Sequence, residues 1–201
     1  MPNSQRDFYY DNQQRLVGAR EVGVGTIHMR YVHNADGVVF IERISAPYDD
    51  PSAEVIQRHI IKLDNSDRVM WAGPDINQDG QADAVNTYQY NGSDVSQVTL
   101  ANGETVGFSY GAAKDNSNFF RINSYGRAVV NLLNAPLLAS SDITSIKNSL
   151  DSEHMLAENL QGQTVELYGN NFIKKLTRTY TEVGPDETPV EITSEIEYFV
   201  E

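Results

Sequence analysis

At 201 residues with 40% hydrophobic content, the chain is long enough for one sizeable core, and a single domain spanning 1–201 is the default expectation. A formal net charge of -13, from 28 acidic against 15 basic residues with no dense Lys/Arg run, leaves nothing to track a phosphate backbone, so no nucleic acid partner is expected. Cysteine is absent, which excludes disulfides, thiol catalysis and thiolate metal sites and is compatible with either redox compartment.

Residues 1–5 carry no basic-then-apolar signal region, and no apolar run reaches the length of a membrane-spanning helix. No membrane span is expected; an exported chain would begin after its signal, with any lipid anchor outside this sequence. From residue 8 onward one phrase recurs. Phe8-Tyr9-Tyr10 alternates as a strand end, residues 11–14 are a polar turn, and Arg15-Leu16 opens the next strand. Residues 31–39, 61–69 and 88–95 repeat it, 108–111 is a weaker copy, and 165–173 is a late variant. Each reads as a hairpin corner where period-2 alternation meets an Asn/Asp/Gly turn.

Between the third and fourth phrases stands D-x-N-x-D-G-x-x-D, starting at Asp75. Read as a metal loop, it places Asp75, Asn77, Asp79 and Asp83 as side-chain ligands at positions 1, 3, 5 and 9, the backbone carbonyl of Gln81 at position 7, and Gly80 at the sharp turn. An all-oxygen set of this size suits Ca2+, and three carboxylates in one empty loop would repel each other. An EF-hand would need Glu at position 12, where Asn86 stands, and helices on both sides. The flanks here are β-branched and aromatic, as in strands. The ordinary alternative is an Asx-rich turn that binds nothing.

The loop resembles the calcium loops of FG-GAP repeats in integrin-type propellers, in which this pattern joins two strands. It occurs once, so the resemblance implies a site and not a propeller. The tyrosine-bearing phrases resemble YD repeats, and still more the β-meander domains of uncharacterised secreted bacterial lipoproteins, over residues 8–111 and 163–200. That resemblance implies a secreted antiparallel meander. The eleven tyrosines are expected chiefly as cross-strand packing partners, with an aromatic-lined groove as the alternative.

Residues 112–162 differ in kind. A polar loop at 114–118 precedes Phe119-Phe120, which look exposed, and the apolar run 129–138 is broken by Pro136. A short helix is predicted over 141–150, capped by Ser141 or Asp142, with Ile143, Ile146 and Leu150 on one face. This helical or irregular insert should cover a face or an end of the sheet; a lid or docking site around 132–138 is the alternative. Finally, the alternating runs 174–181 and 190–200, separated by a polar turn at 182–189, predict a hairpin. Its apolar parity is Val190, Ile192, Ile196 and Tyr198, and Lys174, Lys175 and Arg178 are placed to form surface ion pairs with Glu191, Glu195 and Glu197.

No nucleophile elbow, H-E-x-x-H helix, phosphate-binding glycine loop or dinucleotide fingerprint is present, and His28 and His33 point to opposite faces of one strand. Enzymatic activity is therefore the less favoured expectation. The chain is expected to be mainly β, an antiparallel β-meander with a short helical or irregular insert. It is read as an exported cell-envelope binding or interaction module with a structural Ca2+, located extracellularly, at the outer membrane or in the periplasm, and meeting a protein or glycan partner at the cell surface. Two alternatives stand beside it. A polysaccharide-directed hydrolase would show two carboxylates in a cleft beside stacked aromatics, and a structural fragment of a larger surface protein would show exposed sheet edges.

Overall fold

The computed structural model describes residues 5–23, 25–183 and 189–197. The side chains of Phe119 and Phe120, the turn at 184–188 and Tyr198 lie outside the described residues. Nine strands follow one another in sequence and in space: β1 (Gln5–Tyr10), β2 (Leu16–Val22), β3 (Thr26–His33), β4 (Val38–Ile44), β5 (Val55–Leu63), β6 (Val69–Asp75), β7 (Asn86–Asn91), β8 (Asp94–Thr99) and β9 (Thr105–Gly107). Every pairing is antiparallel, so the molecule is mainly β and the large sheet is a meander.

One corner recurs. At Asp11, Asp64, Leu100 and Tyr168 the residue's N–H donates to the carbonyl four positions on, at 3.0, 2.9, 2.8 and 2.8 Å, and its own carbonyl accepts from the third residue. That third residue is left-handed in each: Gln14 (φ 60), Asp67 (φ 59), Gly103 (φ 88) and Asn171 (φ 66). The geometry is a type I turn closed by a bulge, which matches the twist of the flanking strands. Two corners add an ion pair, with Asp11 and Asp64 each accepting from a following arginine, Arg15 and Arg68, at 2.8 Å. The backbone and side-chain hydrogen bonds from Arg15 hold the Asp11 carboxyl below its usual range.

Residues 108–111 do not form a corner. The chain leaves the large sheet there and enters β10 (Tyr110–Lys114), which pairs with β11 (His154–Leu156). Between them lie α1 (Asn116–Tyr125), α2 (Arg127–Leu138) and α3 (Ile143–Lys147). Asp142 caps α3, accepting from Thr144 N at 3.0 Å and Ser145 N at 3.2 Å. The polar segment 114–118 is thus a strand end and the first turn of a helix rather than a loop. Helix α2 also continues through Pro136. Its stripe Val129, Leu132, Ala135 and Leu138 packs against Ile61, Leu63, Val69 and Ala72 of β5 and β6, in a core shared with Ile146 and Leu150. The last carbonyls of α2 are met by the sheet, since Leu138 O accepts from Tyr88 Oη at 2.6 Å and from Asn86 Nδ2 at 2.9 Å.

A smaller sheet completes the chain: β12 (Gln163–Leu167), β13 (Ile173–Val183) and β14 (Pro189–Glu197). Its core is small, Ala113, Ile173 and Leu176 with Met155, Leu160, Val165 and Leu167 around them. The predicted hairpin is β13–β14, and Lys175 pairs with Glu195 at 2.9 Å. Lys174 instead approaches Glu166 on β12, at 4.0 Å. Ile196, opposite Leu176, is 51% exposed, because β14 is the edge strand of this sheet.

Candidate metal centre

The face of the meander opposite the helices carries a row of alternating charges. In register across β3, β4, β5 and β6 stand Arg30, Glu42, Arg58 and Asp75. Glu42 accepts from Arg30 Nε at 2.7 Å and from Arg58 Nε at 2.8 Å, and Arg58 Nη1 donates to Asp75 Oδ2 at 3.1 Å. The side chains of Glu42 and Asp75 are 3% and 0% exposed. Opposite charges directly across neighbouring strands attract, and burial strengthens them while making the loss of one partner expensive. Burial works against the Arg58 charge, yet its hydrogen bonds to Glu42 and Asp75 outweigh it and raise its pKa. The ring of Phe40, 5.2 Å from the guanidinium, forms its floor.

Asp75 ends this row and begins the D-x-N-x-D-G-x-x-D loop. The loop folds back on β6: Asp83 N donates to Pro74 O at 2.9 Å, and a Cβ added at Gly73 would lie 2.1 Å from Ala84 O, so only glycine fits beneath it. Inside the loop the short side chains engage backbone N–H groups two positions on. Asn77 Oδ1 accepts from Asp79 N at 3.0 Å, and Asp79 Oδ1 accepts from Gln81 N at 2.8 Å. Gly80 N donates to Asp75 Oδ2 at 3.0 Å, made possible by φ +88 at Gly80, and Ile76 N donates to Asp83 Oδ2 at 2.6 Å. Arg58 also reaches Gln78 O at 3.1 Å.

Of the predicted ligands, the structure buries Asp75 and leaves Asn77, Asp79, Gln81 and Asp83 exposed along the same loop. Among the described residues, no three His, Cys, Asp or Glu side chains come together closely enough to hold a metal ion. Part of the repulsion expected among three carboxylates is offset by the protein itself: Asp75 is paired with Arg58, and Asp79 and Asp83 are exposed. One atom does not fit that account. Asp75 Oδ1 is buried and has no hydrogen-bond partner, and a carboxylate oxygen without a partner costs several kcal/mol or recruits one. It belongs to loop position 1, whose other oxygen already accepts from Gly80 N and Arg58 Nη1.

Two further polar groups escaped the sequence reading. Asp151, 2% exposed, accepts from Tyr90 Oη and Asn131 Nδ2, both at 3.0 Å; burial raises its pKa despite these donors and Arg127. Asp94 accepts from Glu153 N at 2.8 Å and His154 N at 2.9 Å, with His154 Nδ1 at 2.9 Å from its other oxygen. Tyr110 Oη bonds Ser152 Oγ and Val95 O beside it, and burial pushes the Tyr110 hydroxyl up to about 12. Both groups join the insert to the sheet.

No family model matches the chain, and no curated protein matches it. Among solved structures it is similar to a porin-like protein from Bacteroides uniformis ATCC 8492, at 9% identity over 98% of this chain and 90% of that chain, with a TM-score of 0.35. A likeness at that level supports no inference about fold or function.

Proposed function

We propose that the chain is an exported cell-envelope interaction module in which a structural Ca2+ closes the 75–83 loop, and that its partner is a protein or glycan at the cell surface. The observation that carries the calcium is the buried, unpartnered Oδ1 of Asp75 at loop position 1. Asp75, Asn77, Asp79, Asp83 and the Gln81 carbonyl would hold the ion, and its role is to draw the exposed loop side chains onto the end of β6. Calcium sites of modest affinity fill outside the cytosol, which supports an extracellular, outer-membrane-associated or periplasmic location. Among the described residues, no helix is long and apolar enough to cross a membrane.

The polysaccharide hydrolase is the weaker reading. Glycoside hydrolysis sets two carboxyl groups across the scissile bond. Tyr9 and Tyr48 stack with ring centroids 4.8 Å apart, and among the described residues the cleft beside them is lined by one carboxyl group, that of Asp49.

The test is a thermal melt in chelator and then in calcium. Saturation at a hundred times the Kd adds about 2.7 kcal/mol, or roughly 5–10 °C in a chain of this size. Asp75→Asn should abolish the shift. A parent melt that does not move at millimolar calcium would remove the metal from this account.

A further inference from the structure

The β4–β5 connection, residues 45–54, folds back over the outer face of β1–β3 and makes a second wall there. It is built rather than slack. Ser45 N donates to Glu54 O at 3.0 Å, Glu54 N returns a bond to Ser45 Oγ at 2.9 Å, and Asp50 Oδ1 holds both Ser52 N and Ser52 Oγ at 2.8 and 2.7 Å. Tyr48 lies across Gly18 and stacks on Tyr9 with ring centroids 4.8 Å apart at 29°. A Cβ at position 18 would stand 2.4 Å from Tyr48 Cγ, so glycine is what lets the ring lie down on β2.

Between this wall and the sheet opens a cleft of about 440 Å3, within the range of small-molecule sites. Its lining includes the polar residues Arg20, Thr26, His28 and Asp49 together with Tyr9 and Tyr48. Among the described residues, none of these side chains has a hydrogen-bond or ion-pair partner in the protein. Arg20 and His28 stand directly opposite each other on β2 and β3, a donor pair on the floor, and Asp49 lines the cleft from the loop. A planar guanidinium fork is the partner of a carboxylate, a lone carboxylate that of two adjacent hydroxyls, and a tyrosine ring that of a flat apolar face. One ligand class offers all three in a single residue.

We propose that this cleft binds a uronic acid residue of a cell-surface saccharide, its carboxylate on Arg20 and His28, its vicinal hydroxyls on Asp49, and its ring against the Tyr9–Tyr48 pair. The chain's net charge of -13 repels a densely charged polyanion, so the fitting ligand is an otherwise neutral polymer with isolated uronates. This assignment rests on reading the chain as an interaction module, and it names the partner's chemistry.

The experiment titrates the protein with a xylo-oligosaccharide carrying one glucuronic acid branch and with the same oligosaccharide lacking it, by calorimetry and ligand-observed NMR. The acidic form should bind roughly tenfold or more tightly than the neutral one, the scale of one charge-assisted fork. Arg20→Gln should erase that preference, and Tyr48→Ala should weaken both ligands. Gly18→Ala, which touches no ligand, should weaken both by displacing Tyr48. If Tyr48→Ala or Gly18→Ala fails to fold, the exposed pair Arg20→Gln and Asp49→Asn decides. Equal binding of the two oligosaccharides, binding of neither at millimolar concentration, or an Arg20→Gln protein that still prefers the acid overturns the assignment. Calcium melts on the same samples separate the two proposals: a calcium shift without uronate binding removes only the cleft, and uronate binding without a calcium shift removes only the metal.

Discussion

Glu42 accepts from Arg30 at 2.7 Å and from Arg58 at 2.8 Å while its side chain is 3% exposed, so removing it strips Arg30 of the carboxylate it donates to and leaves Arg58 with Asp75 alone. Breaking a buried pair on one side costs about 3–5 kcal/mol, against at most about 1 kcal/mol for an exposed one. Arg58, at 15% exposure, sits near the first limit and Arg30, at 27%, nearer the second. Glu42→Ala should therefore lose about 3 kcal/mol in urea denaturation, and Glu42→Gln less, since an amide oxygen still accepts one donor. A loss below about 1 kcal/mol would show that the row is a surface feature. The same row explains what the loop motif could and could not reveal. Asp75, Gly80 and the Asx turns lie within nine residues of each other and were legible from spacing alone. Arg58 was not, because its meeting with Asp75 depends on the β5–β6 register, which contains a shift between Lys62 and Leu63. That hidden arginine answers part of the charge that spacing assigned to calcium.

Elements whose signals are local were readable, and those set by tertiary packing were not. The corners at Asp11 and Asp64 announced themselves because the turn residue, the left-handed residue and the arginine fall within five positions. Helix α1, with its Asn- and Ser-rich sequence, carried no such signal, since those residues favour caps and turns over helix interiors. Helix α2 is the sharper case. A proline inside a helix costs about 3 kcal/mol, by the lost bond to the carbonyl four residues back and the clash with it. Burying Leu132 and Leu138 returns about 1.5–3 kcal/mol each, and both are 1% exposed. Packing therefore wins, helped by Asn86 and Tyr88, which hold the carbonyl of Leu138 beyond the proline. Pro136→Ala should restore the missing bond and raise stability by about 1 kcal/mol or more, after allowing for the greater freedom of the unfolded chain. A lower urea midpoint would mean that the proline ring packs better than the restored bond compensates.

At the scale of the whole molecule, stability is unevenly distributed. The nine-stranded sheet and α2–α3 share a continuous apolar core, whereas among the described residues the cluster under β12–β14 has three buried members, Ala113, Ile173 and Leu176. A sheet with so little apolar burial opens at lower free energy than one with a full core. Polar bonds tie the two together by way of β10–β11, on which the small core also rests. Asp94 on β8 receives Glu153 N and His154 N, Val95 N donates to Ser152 Oγ at 3.0 Å, and Lys114 N donates to Asn171 O at 3.0 Å. Native-state hydrogen exchange should therefore find β4–β6 protected to the global limit and β12–β13 exchanging through a smaller opening. Asp94→Ala removes the acceptor of two partly buried N–H groups, each worth about 1–3 kcal/mol when left unpaired. It should lower protection in β10–β13 by that order while β4–β6 keep theirs. Equal protection across all strands, falling together in the variant, would mean instead that the small core and the polar seam are enough to make the chain unfold as one unit.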